Sequence, residues 1–214
     1  MDKKENNLCT LYLVRHGETE WNVKGITQGQ TNSSLTENGK QQALNTANDL
    51  KNINFDAIFS SDLTRTQDTA EIIKLDRDII IQTSKLLRER SFGSFEGKHG
   101  SEFKENLKEK ILEREKLSEE EGWSFKLSPD VETDEELVNR FLIQLREISV
   151  AYPNKKVLVV SHGGPIRMFL AKIGYKPKKE LMGGAFKNGG YIKVVSDGVD
   201  FFVREVNGLI DINK

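Results

Sequence analysis

The sequence predicts an α/β fold, a three-layer sandwich with a mostly parallel central sheet, helices on both faces, an antiparallel edge hairpin and a helical lid insertion. Three observations predict it. Apolar runs of strand length alternate along the chain with amphipathic helical stretches. Two of the runs, Thr10 to Val14 and Val157 to Val160, are almost continuously apolar, as expected of strands buried on both faces of a parallel sheet. Near the C-terminus, Tyr191 to Val195 and Phe201 to Val206 flank Ser196-Asp197-Gly198, the pattern of a hairpin.

Taken in order, Thr10 to Val14 is the first strand. Thr36 caps a helix that carries Ala43, Leu44, Ala47 and Leu50 on one face. Asp56 to Phe59 and Ile79 to Gln82 read as further strands. The stretch 101–121 is rich in Lys and Glu, with Phe103, Leu107, Ile111 and Leu112 in rough helical phase. It reads as a solvated amphipathic helix able to serve as a lid, within an insertion spanning about 98–132. Thr133 and Glu136 have capping-box spacing ahead of Leu137, Phe141, Leu145 and Ile148. After the strand Val157 to Val160, Pro165 suits a first helical turn, with Ile166, Phe169, Leu170 and Ile173 following and Gly174 as the stop.

The 214 residues contain no repeat and no low-complexity linker, so one domain is expected over 1–214. Apolar residues make up 36%, enough for a real core. The 32 Lys and Arg balance 33 Asp and Glu, a net charge of −1. That excludes a polybasic nucleic-acid footprint and an acidic disordered chain. No apolar run approaches the roughly 18–20 residues of a membrane span. The N-terminus has no secretory pattern, and the single Cys9 cannot close an internal disulfide, so a cytoplasmic protein is expected. Cys9 itself reads as a small buried hydrophobe.

The chemistry converges on strand ends. Two of the three histidines directly follow the buried strands, in Arg15-His16-Gly17 and Ser161-His162-Gly163-Gly164. If the strands are parallel, both imidazoles emerge at the carboxyl edge, where open α/β sheets bind ligands. Arg65 follows the second strand and Glu89 the third. The expected cluster is Arg15, His16, Arg65, Glu89 and His162. Two guanidiniums aimed into one pocket need an anion between them, and free amides at helix starts favour a phosphoryl group. A zinc site drawn from two His and Glu89 would be repelled by the arginines, so no metal is expected. Gly93 to Lys98 is one residue short of a phosphate-binding loop, and no Ser or Cys sits in a nucleophile elbow.

Leu13-Val14-Arg15-His16-Gly17-Glu18-Thr19, with Trp21 and Asn22, resembles the signature of the histidine phosphatase superfamily, in its phosphoglycerate-mutase-like branch. Ser34 to Gly39 resembles the family's Leu-Thr-x-x-Gly helix start. Ser60 to Thr66 with Thr69-Ala70 is similar to its second arginine motif. Leu87 to Arg90, with Phe92-Gly93 and Glu96-Gly97, is similar to its acid-bearing loop, and Ser161-His162-Gly163 with Arg167 to its last motif. The motifs run in order over residues 11–167. One departure is Asn32-Ser33-Ser34, where the family often has an acidic residue and a proline.

The resemblance implies that neutral His16 attacks phosphorus and becomes a phosphohistidine, with no metal or organic cofactor. Arg15, Arg65 and a cationic His162 would neutralise the equatorial oxygens, and Asn22 and the Gly163 amide would complete the cradle. Glu89 would protonate the leaving oxygen and then activate water, which requires it protonated at the outset. Gln28, Gly29 and Lys98 are the further expected substrate contacts. A small phosphorylated metabolite is the implied ligand. The connection 97–133 is shorter than the insertion that shields the mutases' phosphohistidine. The loop Arg88 to Lys98 is similar to that of fructose-bisphosphatase-type and broad-specificity members. Hydrolysis is therefore expected; phosphoglycerate mutase and a catalytically silent phospho-ligand binder are the alternatives.

Overall fold

The computed structural model describes residues 7–181 and 185–210. The reading of the residues before Asn7 lies outside them. Six strands form one sheet in the order β3-β2-β4-β1-β5-β6. They are β1 (Cys9–Arg15), β2 (Ala57–Ser61), β3 (Ile81–Ser84), β4 (Lys156–Ser161), β5 (Phe186–Ser196) and β6 (Phe201–Leu209). The β1–β4, β2–β4 and β2–β3 pairs are parallel; β5 pairs antiparallel with both β1 and β6.

The register sets Leu11 beside Val157 and Val14 beside Val160. Side chains alternate across the sheet, so the same strands feed two cores. Leu11, Leu13, Val157 and Val159 pack on one face with Leu137, Phe141, Leu145 and Ile148 of α7 (Asp134–Ala151) and with Ile166 and Phe169 of α8 (Gly163–Lys172). Tyr12, Val14, Leu158 and Val160 pack on the other with Ala47 of α2 (Glu37–Asp49) and with Ala70 and Ile73 of α3 (Thr64–Lys74). Each such buried aliphatic contributes about 1.5–3 kcal/mol. That double duty is why β1 and β4 read as unbroken apolar runs.

Several expectations need correction. The third strand is Ile81–Ser84 rather than Ile79 to Gln82, and Ile80 is 84% exposed. As an edge strand it has one neighbour, and its short apolar run does not fix its limits. Leu44 is 42% exposed, because α2 buries Gly39, Ala43, Thr46 and Ala47 and Leu44 falls off that stripe. The stretch 101–121 is not one helix. It breaks into α4 (Gly100–Asn106), α5 (Lys108–Glu115) and α6 (Glu119–Ser124), with α1 (Glu20–Val23) the remaining short helix. The break before α6 is a capping box of Ser118 and Glu121, a local signal the charge pattern hides. Phe103, Leu107 and Ile111 do share a face, joining Phe92, Phe95, Leu127 and Val131 in a small third cluster that seats the insertion. Leu112 points outward. Cys9 is buried as expected, its thiol pushed up to about 12 by burial and by Asp56. Among the described residues no helix is long and apolar enough to cross a membrane.

Candidate active site

The parallel strands end together, and the side chains just beyond them share one cavity of about 380 Å³. Arg15 and His16 leave β1, Arg65 sits in the first turn of α3, and Glu89 follows β3 in a loop. His162 occupies the N-cap position of α8 directly after β4, its side chain making no capping hydrogen bond. The cavity is lined by Arg15, His16, Asn22, Gln28, Gly29, Arg65 and Glu89 of the expected residues. His162 stands immediately behind, its ring 5.2 Å from that of His16 and inclined at 65°. Gly163 packs against Arg15: a Cβ there would lie 3.1 Å from Arg15 Nε. Lys98 does not join them. Its ammonium lies 5.5 Å over the Phe95 ring, while its carbonyl accepts the Thr27 N–H at 2.9 Å and so places the loop that bears Gln28. The 101–121 segment supplies Phe103 and Arg114 to the wall.

His16 is fixed from several sides. Its N–H donates to the Ser161 carbonyl at 3.0 Å, and the Asn188 side chain donates to its carbonyl at 3.1 Å. Its Nδ1 lies 2.7 Å from the Gly17 carbonyl. A carbonyl only accepts, so Nδ1 carries the proton and Nε2 keeps its lone pair. Burial, then Arg65 and Arg15, hold the imidazole well below the usual histidine range, and it is neutral. His162 is held low in the same way by burial, Arg65 and His16. Without a bound anion, full burial and the positive charges of Arg65, Arg140 and Arg15 keep His162 neutral.

Arg65 is completely buried, donating to the Gly29 and Thr31 carbonyls at 2.7 and 2.8 Å. Arg15 donates to the Phe186 carbonyl. Burial draws both guanidiniums down to about 10, which leaves them cationic at neutral pH. Among the described residues, their Nε atoms and both ring nitrogens of His162 are buried without a hydrogen-bond partner. Orphaned donors of this kind are costly unless something completes them. Among the described residues no group of three or more His, Cys, Asp or Glu could hold a metal ion.

Glu89 is tied down at both oxygens, accepting the Arg90 N–H at 2.8 Å and the Gly164 N–H at 3.0 Å. Its loop is clamped by a residue the sequence did not single out. Arg140 of α7 donates to the carbonyls of Leu86, Arg88 and Glu89 at 2.8, 2.7 and 2.8 Å and forks onto Glu132. Glu96, part of the acid-loop motif but given no role from the sequence, accepts the N–H groups of Gln30 and Phe92, each at 3.0 Å, and so ties the Gln28 loop to the acid loop. At the departure from the family pattern, Asn32 accepts the Thr64 N–H at 3.1 Å. It thereby caps α3 just before Arg65, a start that Leu63 cannot cap itself.

The chain is 36% identical to the uncharacterized phosphatase PhoE of Bacillus subtilis, over 78% of each chain. It is 33% identical to a broad-specificity phosphatase of Saccharomyces cerevisiae, covering 96% of this chain and 88% of that one. Its fold is similar to the crystal structure of a phosphoglycerate mutase from Bacillus anthracis, with TM-score 0.83 and 27% identity over 96% of this chain and 95% of that one. The profile of the histidine phosphatase superfamily (branch 1) matches residues 11–208, and the chain belongs to that enzyme family.

Proposed function

We propose that the chain is a phosphomonoester hydrolase that works through a phosphohistidine at His16 on small phosphorylated metabolites. The observation that carries this reading is the set of buried, unpartnered nitrogens on Arg15, Arg65 and His162 around the free Nε2 of His16. A phosphoryl group supplies oxygens for the two guanidinium Nε groups and for one ring nitrogen of His162. In this reading, Nε2 attacks phosphorus while the two guanidiniums bind the equatorial oxygens, whose charge grows in the transition state. The phosphoryl dianion offsets the cations that hold His162 neutral, so His162 can take up a proton and donate to the same group. Glu89, aimed by the Gly164 and Arg90 amides, gives its proton to the leaving oxygen. The same carboxylate then takes a proton from the water that attacks the phosphohistidine.

The similarity to proteins named as phosphatases supports hydrolysis over isomerisation. The test offers the protein a phosphoglycerate monoester with bisphosphoglycerate as primer. Inorganic phosphate released faster than the isomers interconvert supports the reading. Interconversion about tenfold faster than release, a barrier difference of about 1.4 kcal/mol, overturns it in favour of the mutase.

A further inference from the structure

The loop that leaves β1 contains two peptide groups held from outside it. The peptide joining His16 to Gly17 accepts at its carbonyl from the Asn188 side chain at 3.1 Å and from the Gly189 N–H at 3.3 Å, while its N–H donates to Thr69 Oγ1 at 3.1 Å. The peptide joining Gly17 to Glu18 carries the carbonyl that lies 2.7 Å from His16 Nδ1, and its N–H donates to Gln42 Oε1 at 2.9 Å. Gln42 lies in the second turn of α2. The start of that helix is docked on the same loop. The Thr36 N–H donates to the Glu18 carbonyl at 3.0 Å, and a Cβ on Gly17 would meet the Gly39 carbonyl oxygen at 2.3 Å. Gln42 also stands against β5: a Cβ on Gly189 would lie 3.1 Å from Gln42 Cβ, and Thr46 Oγ1 bridges the Gln42 and Gly189 carbonyls at 3.0 and 2.6 Å.

A backbone N–H only donates, so it is the side-chain oxygen of Gln42 that faces Glu18. A planar peptide cannot turn its carbonyl without turning its N–H. Anchoring the Glu18 N–H at Gln42 therefore fixes the carbonyl that meets His16 Nδ1, and the two bonds polarise one another through the amide they share. In a neutral imidazole the proton sits on the nitrogen that faces an acceptor, and the other nitrogen keeps the lone pair. We infer, resting on the hydrolase reading, that Gln42 is a positioning residue: acting through the Gly17–Glu18 peptide, it holds His16 in the Nδ1–H tautomer and keeps Nε2 aimed as the nucleophile. Gln42 does not line the cavity, so its effect on the reaction passes through the loop that carries His16. Once the acceptor is lost the peptide is free to turn, and the ring can protonate at Nε2 instead. That share of the protein has no lone pair to offer phosphorus.

The test reads tautomer and rate side by side. In nitrogen NMR of wild-type protein carrying isotope-labelled histidine, the imidazole signals that vanish in His16→Gln are expected to show a protonated Nδ1 and a bare Nε2. Gln42→Leu keeps the bulk of the side chain and removes the acceptor. It is expected to give a mixture of tautomers and to lower kcat/KM for para-nitrophenyl phosphate about tenfold. That ester needs no proton on its leaving group, so the loss falls on transfer to His16 and not on Glu89. Gln42→Glu, whose carboxylate accepts the same N–H, is expected to keep the single tautomer and the greater part of the rate. If Gln42→Leu does not fold, Gln42→Ser, too short to reach the Glu18 amide, takes its place. A tautomer unmoved in the variant that lacks the acceptor overturns the inference, whatever its rate. So does a mixed tautomer with unchanged kcat/KM, or a Gln42→Glu protein as mixed and as slow as Gln42→Leu; in each case the hydrolase reading stands. If the wild-type protein hydrolyses no phosphomonoester, the hydrolase reading falls, and the NMR alone decides: mixed tautomers in Gln42→Leu support the positioning of His16 by Gln42, and an unmoved tautomer overturns it.

Discussion

Removing the Arg140 side chain is expected to damage catalysis selectively in the steps that need Glu89. The guanidinium donates to three carbonyls of the acid loop, that of Glu89 included, and forks onto Glu132 at 2.6 and 2.9 Å. Both side chains are mostly buried, at 16% and 13% exposure. Arg140→Ala leaves Glu132 with the Ser91 N–H at 3.1 Å, strips the Leu86 and Arg88 carbonyls of the Arg140 donor and leaves that of Glu89 with the Gln30 side-chain amide at 3.2 Å. Breaking a buried pair costs about 3–5 kcal/mol, and partial access of water brings this to about 3 kcal/mol. For a chain of this size that is roughly 6–12 °C in Tm. A loop shifted by about 1 Å costs on the order of 100-fold in a step that depends on its carboxylate. The assay compares kcat/KM, which reports transfer to His16, for an alkyl phosphate and for para-nitrophenyl phosphate. Nitrophenolate leaves without a proton, so its ester should lose far less than the alkyl ester, and Arg140→Lys should recover part of the difference. Equal losses on both esters would mean that Arg140 only stabilises the fold.

Gly164→Ala should act on the same carboxylate from the other side. Its Cβ would lie 2.0 Å from Glu89 Oε1, and the flexible carboxylate is what gives way. Alkyl phosphate turnover should fall about 100-fold with the far-ultraviolet circular dichroism unchanged; full activity refutes the placement of Glu89. Arg77→Ala tests a purely structural clamp. Arg77 donates to the carbonyls of Ile73, Lys74, Leu50, Lys51 and Ile53 at 3.0–3.2 Å and sits 5.3 Å over Phe55. Its loss should lower stability by about 2 kcal/mol, read as a Tm drop, and leave kcat/KM unaltered. Stability should also depend on pH through the buried histidines. His16 and His162 are held below the ordinary histidine value of 6.5, so the unfolded chain binds protons that the folded one does not. Stability is then fully present above about pH 6.5 and falls below it by about 1.4 kcal/mol per pH unit for each histidine. Denaturant titrations should show that slope, and His16→Gln with His162→Gln should flatten it.

The strands that carry the histidines are legible because burial on both faces leaves an unbroken apolar run, and because parallel pairing forces their ends to one edge. Arg15, His16, Arg65 and Glu89 accordingly meet where expected, with His162 in contact behind them. What the sequence hides is held by long-range contacts with no local period. Arg140 sits on α7 and reaches acid-loop carbonyls more than fifty positions earlier in the chain. Asn188 approaches His16 from β5, and Arg114 meets Asp134 across the insertion. Lys98 departs from expectation for a related reason: the motif fixes its backbone beside Thr27, while its side chain follows the nearest aromatic face. The insertion's breaks are present in the sequence as Ser118-x-x-Glu121 and His99-x-x-Glu102, capping spacings masked by the surrounding Lys and Glu.

The most direct test of the central claim is to trap the covalent intermediate. The protein is mixed with a phosphomonoester labelled in its phosphoryl group, quenched in alkali within the first turnover, digested and mapped. The account predicts an acid-labile, alkali-stable label on the peptide containing His16, formed at the rate of the first turnover and absent from His16→Gln. Label on a different residue, or phosphate release by His16→Gln at the wild-type rate, would contradict it.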